Sequence, residues 1–341
     1  MARVALVTLP FVLAAGIAAP RDQEQQPSSD WTLIFNRPAT GKYEDMSWPD
    51  EKHGWVASAG GFILSTADGG ATWTEQAKGL PPIRSIDFIN LKHGYAGSIT
   101  GRLLETTDGG ATWNDITGKM PATAKGFCGI THVGKRIHIV GKYFQEASDY
   151  FYSPDEGKTW THTNLSEYAQ GLVDVAFLNE RVGFITGMAK GPVNNAPATI
   201  LKTTDGGKNW KTVFTHAGGR GFVWKMWPIN GRLLYASLQS QDGVYRIARS
   251  TDVGETWDTL TVTTGRPGGP GVQGIGFLDA NRGWVGGFFR GMWKTTDGGK
   301  TWTEAPSSDG TINRFERVGN TLITAGTRGV LRLDLPRTKG P

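Results

Sequence analysis

Three sets of side chains in this sequence are of the types that do chemistry. Seven arginines, Arg84, Arg102, Arg220, Arg266, Arg290, Arg314 and Arg328, each stand in a turn or at the opening of a short apolar run. Guanidinium groups that converge bind carboxylate, phosphate or sulfate through paired hydrogen bonds, and low-dielectric walls strengthen their field. The alternative fate of each arginine is to cap its own unit or to pair with Glu44, Asp45, Glu146, Asp149 or Asp242. Four of those acids, Asp45, Glu146, Asp149 and Asp242, together with Tyr245, are the candidates for bond-breaking work. Hydrolysis of a glycosidic bond needs two carboxylates about 5–10 Å apart, or a tyrosine nucleophile with an acidic partner. The third set is aromatic and amide: Tyr143, Phe144, Tyr168, Trp224, Gln239, Gln241 and Phe289, a mixture that suits a sugar or a peptide, whereas Trp227 reads as core.

Other chemistries find no support. There is no Gly-x-Ser-x-Gly, His-Glu-x-x-His or Cys-x-x-Cys, and the six histidines are scattered. His53 and His93 occupy matching turns, EKHGW and LKHGY, which points to a structural role. Cys128 is the only cysteine, so no internal disulfide can form, and it reads as a small buried residue. No metal site and no cofactor is indicated. The formal charge of +5 over 341 residues is a mild excess that does not by itself imply nucleic acid.

The elements that position these groups announce themselves by repetition. Six segments share the form Ser/Thr-x-Asp-x-Gly-x-x-Trp, centred on Asp68, Asp108, Asp155, Asp205, Asp252 and Asp297 and recurring every 40 to 50 residues. An aspartate can accept hydrogen bonds from amides just after it, and the glycines tolerate positive φ, so each box is a hairpin corner. A short apolar run precedes each box and a tryptophan opens the strand after it. Upstream, a strand, a turn and a Gly-aromatic-x-x-Gly segment complete the unit, as in SIDFINLKHGYAG (85–97) and GIGFLDANRGWVGG (274–287). Four strands in about 45 residues, with no helical period, predict an all-β propeller of four-stranded antiparallel blades. Residues 311–335 hold three more strands and stop where a seventh box would begin, while the Trp31 region reads like a strand that follows a box. The expectation is seven blades, with six and eight as the alternatives, closed by pairing the first strand with the last blade.

The boxes resemble the Asp-box, or BNR, repeat of sialidases, two-propeller xyloglucanases, sortilin-type receptors and Ycf48/HCF136-type photosystem II assembly factors. The recurrent TTDGG(A/K)TW and the HGW or RGW turns are most similar to the last group. That resemblance implies a non-enzymatic propeller that binds a protein partner, with the six box aspartates structural and no catalytic residue. A single-propeller glycoside hydrolase, sialidase-like or another exo-glycosidase, is the alternative. Against it, the sialidase Arg-Ile-Pro is absent and Pro82-Ile83-Arg84 reverses it.

Residues 4–17 are apolar and uncharged and lead into the polar stretch RDQEQQPSSD, the pattern of a secretory signal peptide. The expected organisation is a signal peptide at 1–18, a disordered polar linker at 19–29, one propeller at 30–336 and a disordered tail at 337–341. The mature chain has no membrane-spanning run, and the compartment expected is periplasm, a thylakoid-lumen-like space or the exterior. The ligand-binding set expected at the entrance face is the seven arginines with Tyr143 and Trp224. The partner classes are a protein or peptide, including a segment of a membrane protein, and an anionic small ligand or glycan; nucleic acid is disfavoured by export.

Overall fold

The computed structural model describes residues 30–36, 41–141, 148–192, 194–239, 241–264, 271–306, 311–327 and 329–333. Its strands form seven four-stranded antiparallel sheets. Blade 1 is β2 (Tyr43–Ser47), β3 (Gly54–Ser58), β4 (Ile63–Thr66) and β5 (Thr74–Ala77), and blade 2 is β6 (Ile83–Phe88), β7 (Gly94–Ser98), β8 (Leu103–Thr106) and β9 (Asn114–Asp115). Blade 3 is β10 (Gly129–Val133), β11 (Arg136–Gly141), β12 (Asp149–Ser153) and β13 (Thr161–Asn164), and blade 4 is β14 (Ala169–Phe177), β15 (Gly183–Ala189), β16 (Ala198–Thr203) and β17 (Lys211–His216). Blade 5 is β18 (Phe222–Pro228), β19 (Leu234–Gln239), β20 (Tyr245–Ser250) and β21 (Asp258–Thr263), and blade 6 is β22 (Val272–Phe277), β23 (Gly283–Gly287), β24 (Phe289–Thr295) and β25 (Thr303–Ala305). Blade 7 joins β26 (Ile312–Val318), β27 (Thr321–Gly326) and β28 (Gly329–Leu333) to β1 (Trp31–Asn36) from the other end of the chain.

The closure follows from apolar pairing. Trp31 lies opposite Leu333 and Asn36 opposite Gly329. The buried Trp31 ring packs edge-on against Trp284 of blade 6 and Phe315 of its own blade, both at 5.8 Å. The chain thus forms the seven-bladed, terminus-closed propeller that the repeat predicts.

Every box makes the same corner. In blade 1 the Thr66 hydroxyl donates to Asp68 Oδ1 at 2.8 Å and accepts from the Gly70 amide at 2.9 Å. Thr72 donates its amide to Asp68 Oδ1 and its hydroxyl to Asp68 Oδ2, at 2.8 and 2.6 Å. The hydroxyl-bearing residue of the box binds its aspartate in the same way in the other five corners. Gly70 has φ +88, and a Cβ there would fall 2.6 Å from Ile34 of blade 7, so the turn and the joint between blades both require glycine. The box tryptophan then fills the joint: Trp73 packs on Trp48 and on Phe35 of the neighbouring blade. Because successive strands alternate in direction, corners and first-to-second-strand turns lie on one face. The links between blades and the second-to-third-strand turns lie on the other, the entrance face.

Candidate functional site: the mouth of the central channel

The innermost strands line the axis, and their register holds a feature absent from any sequence pattern. Six of the seven inner strands carry extra residues against their partner strands: Glu44, Arg84, Gln273 and Asn313 in β2, β6, β22 and β26, Gln170 and Val173 in β14, and one of the pair Trp224–Lys225 in β18. Only β10 pairs without a shift. A β-bulge breaks the strict in-out alternation and re-aims a side chain. Here Glu44, Arg84, Trp224 and Gln273 are turned into one cavity of about 280 Å³ at the entrance-face end of the channel.

Among the described residues, the cations Lys42, Arg84 and Arg220 and the carboxylate of Glu44 line that cavity. Arg84 is buried, with Nη1 2.8 Å from Glu44 Oε2, and its guanidinium lies 5.8 Å from the Trp224 ring. Trp224 Nε1 donates to Gln239 Oε1, which fixes the indole. Lys42 Nζ lies 3.6 Å from Glu44 Oε1 and 5.2 Å from the ring of Phe288. Burial pulls the Lys42 ammonium down to about 8, with Glu44 opposing and Arg84 adding to the fall.

Deeper in, the balance reverses. Arg314 Nε lies 3.1 Å from Asp45 Oδ1, with further oxygens of Asp174 and Glu316 at 3.7 and 3.2 Å from its other nitrogens. Lys225 Nζ lies 3.2 Å from Asp174 Oδ1. The second oxygens of Asp45 and Asp174 accept the amides of Ile86 and Met226, both at 3.1 Å, so each carboxylate ties its blade to the next. Asp87 meets His132 at 2.7 Å; burial works against the charged imidazole, but the Asp87 carboxylate prevails and the His132 pKa rises. Burial lifts the Glu316 carboxyl to about 7, against the pull of Arg314 and with Asp45 adding to the rise. Arg314 and Glu316 border a second cavity of about 250 Å³ with apolar walls from Phe177, Met226 and Phe277.

Of the expected ligand-binding set, Arg84, Arg220 and Trp224 share the mouth. Arg314 does not join them, being held in the throat by Asp45, Asp174 and Glu316. Arg102 is spent in its own blade, with Nη1 2.6 Å from Asp115 Oδ2. Arg266, Arg328, Tyr143 and Glu146 lie outside the described residues, as does the side chain of Arg290, whose backbone is in β24. The candidate acids are dispersed. Asp45 is in the channel, while Asp149 of blade 3 pairs with His162 at 2.8 Å, burial raising its pKa. Asp242 of blade 5 pairs with Arg246 at 2.8 Å, and Tyr245 is buried and stacks on Phe289 at 4.7 Å. The described contacts join no two of these acids. Lys42, Lys225, Asp174 and Gln273 were not singled out by the sequence reading, since a bulge carries no residue signature. Among the described residues no cluster of three His, Cys, Asp or Glu could hold a metal ion, and no helix is long and apolar enough to cross a membrane.

Residues 81–171 match the family model described as photosynthesis system II assembly factor YCF48. No curated protein matches the sequence. Among solved structures, YCF48 bound to D1 peptide superposes with a TM-score of 0.63 at 20% identity, covering 91% of this chain and 99% of that one. YCF48 from Cyanidioschyzon merolae gives 0.67 at 18% identity over 89% and 98% of the two chains. The GH74 enzyme of Niastella koreensis gives 0.52 at 13% identity, covering 83% of this chain and 62% of that one. In repeat, blade number and family match, the chain is a seven-bladed Asp-box propeller similar to the photosystem II assembly factor YCF48.

Proposed function

We propose that this chain is an exported, non-enzymatic binding propeller that receives an acidic or extended peptide segment of a protein partner at the channel mouth. The observation that carries the reading is the convergence of Lys42, Arg84 and Arg220 on one concave mouth, with Trp224 and Phe288 beside them. Cations on a concave, partly apolar wall attract carboxylates and hold them by charge-assisted hydrogen bonds. The Gln239 and Gln273 amides add donors and acceptors of the kind an extended backbone uses. The likeness to a YCF48 whose structure holds a D1 peptide supports a peptide as occupant, and the assembly-factor description of the matching family supports a binding role. Export rests on the apolar segment at 4–17.

The test is capture of partners from the native cell envelope on the immobilised protein, read by mass spectrometry, with Lys42→Glu and Arg220→Glu as variants. Retention of the principal partner should fall about tenfold in each, the order expected for one charge-assisted contact. Unchanged retention by variants whose thermal unfolding matches the parent would sink the reading.

A further inference from the structure

Neighbouring blades meet where the box corner of one leans on the blade before it, and at most of these joints a side chain caps a corner carbonyl. Between blades 1 and 2, Trp55 Nε1 and Gln76 Nε2 donate to the Gly109 carbonyl at 3.2 and 2.8 Å. Between blades 2 and 3 the Tyr95 hydroxyl donates to the Glu156 carbonyl at 3.0 Å. Lys202 Nζ caps Val253 between blades 4 and 5 at 2.6 Å, and the Tyr235 hydroxyl caps Gly298 between blades 5 and 6 at 3.2 Å. Between blades 7 and 1 the joint is packed with Ile34, Trp48 and Trp73 instead.

The joint between blades 3 and 4 breaks this pattern. Tyr150 leans on Gly207, but its hydroxyl is hydrogen-bonded to His138 Nδ1 at 2.8 Å, and among the described residues no side chain of blade 3 reaches the Gly206 carbonyl. Outward of Tyr150, β13 offers only the short, exposed Thr161 and Thr163, where β5 of blade 1 carries Gln76. The result is a groove of about 620 Å³, more than twice the volume at the channel mouth.

The groove's chemistry is specific. Tyr152 supplies an aromatic wall, the two threonines supply hydroxyls, and Gly206 lies on the floor. Arg136, Arg181 and Lys208 stand around it. Arg136 is anchored by Glu180, which accepts at 3.0 Å through its backbone oxygen and lies 3.0 Å away through its carboxylate. Asp205 also borders the groove, but both its oxygens are occupied inside the corner by Thr203 and Asn209. Among the described residues the Lys208 ammonium has no ion-pair partner.

We infer that this groove is a subsite for a saccharide ring bearing a carboxylate, distinct from the channel mouth. A pyranose presents an apolar face to an aromatic ring and hydroxyls to backbone carbonyls and threonine hydroxyls. Its carboxylate completes the site by meeting the cations at the edge, in the manner of charge-assisted hydrogen bonds. A bare anion uses only the cations, leaving Tyr152 and the two threonine hydroxyls without a ligand contact.

Titration calorimetry on the full chain at low ionic strength, with methyl glucuronide as probe, decides the matter. Saturable binding is expected, about tenfold tighter than that of methyl glucoside and not displaced by equimolar sulfate or hexaglutamate. Thr163→Gln, which supplies the missing filler, and Lys208→Ala, which touches no packing, should each weaken it about tenfold, while Lys42→Glu at the mouth leaves it unchanged. Absence of saturable binding, equal affinity for the neutral sugar, displacement by sulfate or hexaglutamate, indifference to both groove variants, or loss in Lys42→Glu would each overturn the inference. Because peptide capture is read through Lys42 and Arg220, failure of one proposal leaves the other standing.

Discussion

The box corners and the channel axis solve the same problem, satisfying polar groups inside a packed ring, in opposite ways. A corner uses residues within four positions of one another, and the same contacts recur six times without reference to any other blade. The axis also joins residues 40 or more positions apart, as in Arg84 with Glu44 and Lys225 with Asp174, and its ion pairs differ from blade to blade. The difference teaches that repetition in this chain marks what builds the scaffold. Departure from repetition marks where it can recognise something.

The largest effect expected from this contrast is at the axis. Asp174→Ala leaves the buried Lys225 ammonium without its carboxylate and frees the Met226 amide, and should lower unfolding free energy by about 3–5 kcal/mol in chemical denaturation. Combined with Lys225→Ala the losses should fall short of additivity by at least about 0.5 kcal/mol, whereas Thr72→Ala in blade 1 and Thr159→Ala in blade 3 should add. Coupling between the two corners, or none at the axis, would break the comparison.

Acid should next strike the corners together. Threonine hydroxyls and amides hold Asp68, Asp108 and Asp297 down to about 2, and Asp155 and Asp252 are lowered by the same kinds of contact. At Asp205 burial pulls upward but Asn209 prevails, again to about 2. Folded pKa values below the unfolded value of about 3.9 contribute stability that is complete above about pH 4 and drains as pH falls towards 2. A thermal-unfolding series in pH should therefore steepen below about 4.

At the axis the sign is opposite, as Glu316 shows. The Glu316 pKa of about 7 lies above the unfolded value of about 4.3, so between these the folded chain keeps a proton that the unfolded chain releases, and stability declines as pH rises. Glu316→Gln should flatten that decline, and an unaltered pH profile would contradict the assignment. The smallest effect is expected at Val253, which takes the place of the first box glycine in blade 5 and holds φ 63. Val253→Gly should stabilise by about 1 kcal/mol by relieving left-handed strain, read as a small rise in Tm.

The same contrast explains how far the sequence could be read. The corners were legible because Asp68 and its counterparts, their hydroxyl partners and their glycines are adjacent in the chain, and the closure because Trp31-Thr32 copies Trp73-Thr74. Pairing of Arg84 with Glu44 and of Arg314 with Asp45 was foreseen only as one fate among several. Which fate prevailed depended on bulges, which shift one residue of a strand and leave no compositional trace. Seven arginines at similar places in a repeat suggested one common rim, yet Arg102 is claimed by Asp115 of its own blade and Arg314 by the throat. Equivalent positions in a repeat share a backbone environment, and the partner across the joint differs each time.

The way blade 7 is completed also sets an order in time. Its outermost strand, β1, is synthesised about 300 residues before the β28 it must pair with, so on the ribosome the first strand waits as an unpaired edge while six finished blades accumulate. Bringing those distant ends together is the latest and entropically slowest event available to the molecule.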